Sequence, residues 1–255
     1  SATLGHEPTL QWFIDSCGLA DAKVLNIESP FDYAQQASLY IPSGFPAASS
    51  PQHPLFVAKL AADGALRLGG RTLVLTTTLK AMRLIGEEVR SLLAFANANV
   101  DVWVQGEAPK QVIIRAMLTA TEAKGCLVVA SVSFWEGVDL PGTALQLLVL
   151  DKLPFAPPDD PVQNSRAKKI EGAGGSAFKD LHLPQAAIAL KQGAGRLIRR
   201  ETDRGILVLC DVRLTSMGYG KKLLSVLPPM HRLETADHYF SALQALTKVS
   251  TMDLD

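Results

Sequence analysis

Four residues late in the chain have the types and spacing to grip a polyphosphate. Gln192, Gly195, Arg196 and Arg199 form the pattern Q-x-x-G-R-x-x-R within QGAGRLIRRETDRG (192–205). A guanidinium never loses its charge in a protein, and its planar fork of donors matches phosphate oxygens. On a helix, Arg196 and Arg199 stand at i and i+3, so both forks would leave one face toward one ligand. The bland alternative is a basic helix end, with Arg199 and Arg200 complementing the helix dipole. A second polar group stands at FWEGVDLPG (134–142), where Trp135, Glu136 and Asp139 follow directly on an apolar run. They are either a surface turn punctuated by Pro141-Gly142 or part of a site.

Other phosphate and acyl-transfer signatures are missing. The chain has no GxxxxGK[ST] loop: GAGGSAFK (172–179) lacks its Gly-Lys-Ser/Thr end, and GYGKK (218–222) has Thr215 and Lys222 at two defining positions. A dinucleotide fingerprint fails at Ile198, where the third glycine should stand, and a helix precedes it instead of a strand. Neither HExxH nor GxSxG occurs, and the five histidines are scattered. Cys17, Cys126 and Cys210 are far apart and odd in number, which predicts no disulfide framework and no cysteine metal site. Lys+Arg and Asp+Glu are both 25, so overall charge does not mark a nucleic-acid binder, although a local basic track can sit on a neutral protein. With no apolar run of about 18 residues and no signal peptide, the expectation is a reduced, cytoplasmic protein off the membrane.

The elements that must position these groups read as an α/β fold. TLVLTTT (72–78), VDVWVQ (100–105), CLVVASV (126–132), LQLLVLD (145–151) and GILVLCD (205–211) are short β-rich apolar runs, as in a sheet covered on both faces. Helical patterns occupy 79–97, 109–123 and 184–200, with Pro109 suiting a first turn and Gly125 a helix stop. Alternation of this kind predicts right-handed crossovers and a doubly wound parallel sheet. IPSGFPAASSPQHP (41–54) and EGAGGSAF (171–178) read as loops, the second as a flexible loop or mobile gate. Function in such sheets collects at the carboxyl ends of the strands, and FWEGVDLPG follows one.

Taken in order, these segments resemble the motifs of superfamily-two helicases. SATL (1–4) is similar to motif III, GRTLVLTTT (70–78) to motif IV, VVASVSFWEGVDLPG (128–142) to motif V and QGAGRLIRR to motif VI. ESPFDYAQQASLYIP (28–42), FWEGVDLPG and LDKLPF (150–155) resemble the DinG/YoaA branch of the XPD-type helicases. The likeness implies a RecA-like parallel sheet with helices on both faces, the second helicase motor domain. Residues 1–50 would be the end of the first motor domain and a lead-in segment, and 51–255 the RecA-like domain. The family's ATP-binding loop, acidic metal-binding box and iron–sulfur cysteines would lie upstream, in the first motor domain.

The resemblance also implies roles. Arg196 and Arg199 would be arginine fingers on the γ-phosphate of ATP, Gln192 would orient that phosphate, the attacking water or a partner arginine, and Gly195 would allow close helix approach. Glu136, Gly137 and Asp139 would line the interdomain cleft, with Trp135 either packing or stacking on a base. Thr76, Thr77 and Thr78, with Gln105 and Ser133, would hold single-stranded DNA phosphates without reading sequence. The expected function is the C-terminal motor domain of an ATP-dependent, 5′-to-3′ DNA helicase in repair. It would use ATP and Mg2+ in the full-length enzyme, any iron–sulfur cluster belonging to the N-terminal half. Its partners would be its own N-terminal motor domain and replication or repair proteins, and the isolated chain would be inactive. The alternative is a non-catalytic RecA-like module that binds nucleic acid or protein.

Overall fold

Seven strands pair in one sheet. In the computed structural model, which describes residues 9–252 except 20, 26, 28, 122, 132–133, 135–139, 141 and 158, these are β1 (Ala37–Tyr40), β2 (Thr72–Thr76), β3 (Val100–Val104), β4 (Gly125–Ser131), β5 (Leu147–Leu150), β6 (Gly205–Leu209) and β7 (His231–Leu233). They lie in the order β3-β4-β2-β5-β6-β1-β7, and every pair is parallel. The five runs read as strands from sequence are all present. Sequence reading missed β1 and β7, which are four and three residues long and lie together at one side of the sheet.

The helices are α1 (Gln11–Cys17), α2 (Tyr33–Gln36), α3 (His53–Leu68), α4 (Leu79–Phe95), α5 (Lys110–Leu118), α6 (Pro161–Gly172), α7 (Leu183–Ala194), α8 (Arg213–Ser216), α9 (Gly220–Leu224) and α10 (Ala236–Met252). A π-helical turn, Phe178–His182, leads into α7. Side chains alternate across each strand, so each parallel strand feeds two cores. Leu73 and Leu75 of β2 join Val128 and Ala130 of β4 under α5 and α7, whose Ile113, Met117, Ala187 and Leu190 close that layer. Val74, Leu127 and Val129 point the other way, into a core closed by α3, α4 and α10 through Val57, Ala61, Ile85, Val89 and Leu243. Helices thus cover both faces, as expected.

Local chemistry accounts for the element ends. The Thr78 hydroxyl accepts from the Ala81 amide at 3.2 Å and caps α4. Gly125 does not stop a helix: α5 ends at Leu118, and Gly125 opens β4. A Cβ there would lie 2.2 Å from Gly69 O, so this glycine is required by the close approach of the turn before β2. The three cysteines are free; burial pushes the Cys126 thiol up to about 12 and raises Cys210 as well, which leaves both thiols unreactive.

Candidate functional site

The arginine segment is not helical where the sequence predicts it. Helix α7 stops at Ala194, Gly195 is its C-cap, and Arg196 and Arg199 stand on the loop that leads into β6. The two guanidiniums therefore do not share a helix face. Gly195 has φ −66°, and a Cβ there would meet only the carbonyls of Lys191 and Gln192, at 3.3 and 3.8 Å. Among the described residues, no neighbouring element comes within 4 Å of that position.

What replaces the helix is a loop held from inside. Leu197 and Ile198 are buried in the core under α7, while Arg196 and Arg199 are half-buried and Gln192 is exposed. One oxygen of Asp203, Oδ2, accepts from the amides of Arg199 at 2.7 Å and Arg200 at 2.9 Å. Its other oxygen, Oδ1, accepts from the Gly142 amide at 3.0 Å. Gly142 has φ +70°, a conformation that suits glycine and closes FWEGVDLPG. From the far side, the Gln36 side-chain amide donates to the carbonyls of Arg200, Glu201 and Asp203 at 2.8, 3.0 and 3.2 Å.

Of the expected DNA residues, Thr76, Thr77, Thr78 and Gln105 lie at the other end of the sheet. Thr76 is fully buried, and its hydroxyl donates to Thr78 O at 3.2 Å and Ala130 O at 3.3 Å, so its side chain cannot face a ligand. Thr77 is half-buried and its amide donates to Asp151 Oδ1 at 3.0 Å. Thr78 is exposed at the start of α4. Gln105 follows β3, and its Oε1 accepts from both the amide and the hydroxyl of Ser131, at 2.8 and 2.9 Å. Gln105 thereby fixes the carboxyl end of β4. The arginine loop precedes β6, so roughly 16 Å of strand, about five residues, separates it from this end.

Ser133, Trp135, Glu136, Gly137 and Asp139 lie outside the described residues, as does SATL. Of the same stretch, Phe134 and Leu140 are buried in the core, and Lys110 Nζ sits 5.2 Å from the Phe134 ring centre. Gly142 brings the end of the stretch to the arginine loop through Asp203.

Two further carboxylates escaped sequence reading. Asp151 and Asp211 directly follow β5 and β6 (Asp211 after Cys210), and both are buried. Asp211 Oδ1 accepts from Arg213 N at 3.0 Å and Nε at 2.9 Å, and Oδ2 from Arg213 Nη2 at 2.6 Å and Leu153 N at 2.8 Å. Arg213 in turn lies over the Phe155 ring, 5.3 Å from its centre. The signal was an Asp at the end of an all-apolar strand, repeated in LVLD and LVLCD.

A family model described as the helicase C-terminal domain matches residues 65–230. The chain belongs to the helicase C-terminal domain family. It is 39% identical over 232 residues to the ATP-dependent DNA helicase YoaA of Escherichia coli K12, covering 91% of this chain and 35% of that protein. To the ATP-dependent helicase DinG of Mycobacterium tuberculosis H37Rv it is 33% identical over 229 residues, covering 88% of this chain and 33% of the relative. This chain thus spans about a third of the length of these curated relatives. The fold is similar to that of S. tokodaii Xpd4, with a TM-score of 0.52 at 15% identity, over 88% of this chain and 47% of that one. No helix among the described residues is long and apolar enough to cross a membrane.

In this helicase domain Asp151 carries a testable cost. Burial pushes its carboxyl from 3.8 up to about 6, with the Asp211 charge adding to the rise and the Thr77 amide and Lys152 opposing it. A carboxyl raised in the folded state favours folding only when protonated, so ionisation destabilises the domain as pH rises from about 4 through 6. Asp151→Asn keeps an oxygen for the Thr77 amide and removes the charge. It should stabilise the domain by up to about 3 kcal/mol at pH 7.5, the gain disappearing by about pH 4. Thermal melts at the two pH values read this, and an equal effect at both would show that charge is not the cause.

Proposed function

We propose that this domain is the second motor half of an ATP-dependent DNA helicase, whose nucleotide cleft is completed by an upstream RecA-like domain. In this reading Arg196 and Arg199 enter the cleft and neutralise charge that develops on the transferring γ-phosphoryl group. Gln192 orients the phosphate or the attacking water, and Glu136 and Asp139 line the same cleft. Such chemistry is positioning and electrostatics, with little covalent work for the protein. Thr77, Thr78 and Gln105, with Ser133, form the single-stranded DNA side, where amides and hydroxyls meet phosphates without reading bases.

The observation that carries this reading is the arginine loop itself. It is an irregular segment whose two arginines remain half-buried at the surface while its backbone is fixed by buried groups. An exposed basic helix end would need no such support. Mg2+ neutralises phosphate charge when bound, but among the described residues no three His, Cys, Asp or Glu side chains converge to hold a cation. In this proposal the metal-binding carboxylates belong to the facing domain, as the likeness to the helicase motifs implies.

The test compares the isolated 255 residues with the full-length protein that carries them. The isolated domain should show no ATP turnover, and the full-length protein should hydrolyse ATP in a DNA-dependent manner. Turnover by the isolated domain, or none by the folded full-length protein, would refute the half-site reading.

A further inference from the structure

We propose that Asp203 and Gln36 are positioning residues that clasp the arginine loop and set where Arg199 and Arg196 stand in the cleft. The inference rests on the finger reading of those arginines and extends it to two residues on opposite sides of the loop.

After Leu197 the loop backbone has no helical ladder to define it. Its amides would be left without partners if nothing replaced the i→i−4 bonds. Asp203 supplies the replacement: one carboxylate oxygen takes two successive amides, those of Arg199 and Arg200, and the turn is closed by Asp203 N donating to Arg200 O at 3.2 Å. Charge-assisted bonds of this kind are short and strong, and they fix the backbone directly at Arg199. The second oxygen reaches across a separation of 61 residues to Gly142, so the carboxylate also joins the arginine loop to the end of FWEGVDLPG.

Gln36 holds the other side. Three carbonyls of the loop converge on its amide nitrogen, from a helix 164 to 167 residues earlier in the chain. Arg204 Nη1 also donates to Glu201 O at 2.9 Å and Asp203 O at 2.8 Å, so the carbonyl side of the turn is fully engaged. Gln36 and Asp203 are 5% and 3% exposed, which keeps water from substituting for either. In such shielded surroundings a lost partner leaves a buried group unsatisfied, and the backbone must move to find another. The clasp therefore defines the loop on both faces, and the DYAQQ segment becomes part of the nucleotide machinery although it is far from it in sequence.

The test uses the full-length protein and reads the affinity for ADP–aluminium fluoride relative to that for ADP, together with kcat and KM for ATP and single-stranded DNA affinity. The aluminium fluoride complex mimics the γ-phosphoryl group, so the ratio reports arginine engagement. Asp203→Ala should lower kcat and the affinity ratio by about 10²-fold, the scale of an ångström misplacement, with ADP and DNA affinity within about 3-fold of wild type. Gln36→Glu, which turns an acceptor toward three carbonyls, should lower both by about 10-fold. Asp203→Asn retains one acceptor oxygen and should fall between wild type and Asp203→Ala; with Gln36→Glu it keeps the test valid should Asp203→Ala not fold. In an Arg196→Ala/Arg199→Ala background, Asp203→Ala should leave the ratio unchanged, because a positioning residue has nothing left to position. If the arginine variants alone leave the ratio intact, the finger reading falls and the clasp with it. If they abolish the ratio while Asp203→Ala and Gln36→Glu preserve it, or if ADP and DNA affinity fall equally, the clasp alone is overturned.

Discussion

Replacing Arg196 by Ala in the full-length protein should lower ATP turnover by about 10³–10⁵-fold, while single-stranded DNA affinity stays within about 3-fold. The size follows from what an arginine finger does. It meets charge that grows only as the phosphoryl group departs, so its loss raises the barrier without weakening ground-state binding to match. The separation of effects follows from the sheet. Arg196 stands before β6 and Thr78 after β2, at opposite ends of parallel strands. Arg196→Lys should recover little, because an ammonium cannot reproduce a planar fork. Arg199→Ala should behave like Arg196→Ala if both arginines reach the γ-phosphate. Steady-state ATP hydrolysis with saturating DNA, and DNA binding by anisotropy, measure the two quantities. Normal turnover by Arg196→Ala would remove it from the reaction.

That prediction depends on geometry only partly visible in the sequence. Strands β2, β4, β5 and β6 were legible because each is a short apolar run buried on both faces, and that composition has few other uses. Strand β3 stands at the sheet's edge, half-buried, and was legible from its β-branched and aromatic residues. Helix α4 was legible from its apolar spacing, although its Thr78 cap was not. Strand β7 has only three residues, β1 is as short as β5 but carries Ser38 in place of a continuous apolar run, and HPLFVAKLAADGALRL of α3 was hidden behind a loop rich in Pro and Ser. The largest difference concerned 195–200. Residues LIRR continue the helical pattern of α7, and the only local stop signal is glycine at 193 and 195, the second of which is its C-cap. What holds the loop beyond it is the bonding of Asp203 and Gln36, the second more than 160 residues away, and such contacts leave no trace in spacing. The two ends of the site were likewise a matter of topology. Because β2 lies between β4 and β5 and all three are parallel, the chain after β4 must return to the amino end of β5. FWEGVDLPG therefore starts at one end of the sheet and finishes at the other, beside the arginine loop.

At the carboxyl end of the sheet, Arg213→Ala should destabilise the domain by about 3 kcal/mol at pH 7.5, the low end of what breaking a buried ion pair costs. Asp211 is almost wholly buried, and Arg213 supplies a fork to both its oxygens. The discount reflects Arg213, whose side chain is 35% exposed, so water can take part of its place. For a domain of this size the loss corresponds to a melting point lower by roughly 6–12 °C. The pH dependence identifies the cause. Burial acts to raise the Asp211 carboxyl, but the Arg213 fork and the amides of Leu153 and Arg213 outweigh it and hold the group below its ordinary value. In the wild type this carboxylate stabilises the fold above the ordinary carboxyl range, and the contribution is lost as pH falls through the lowered folded value. Without Arg213, burial acts unopposed by the fork, and protonation of Asp211 relieves the fold instead. The deficit of Arg213→Ala should therefore shrink between pH 7.5 and pH 4.5. Arg213 also covers the Phe155 ring, and loss of that packing is indifferent to pH. A deficit of the same size at both pH values would assign the effect to Phe155 and overturn the charge argument. Arg213→Met, which restores packing but not charge, should keep most of the pH 7.5 deficit.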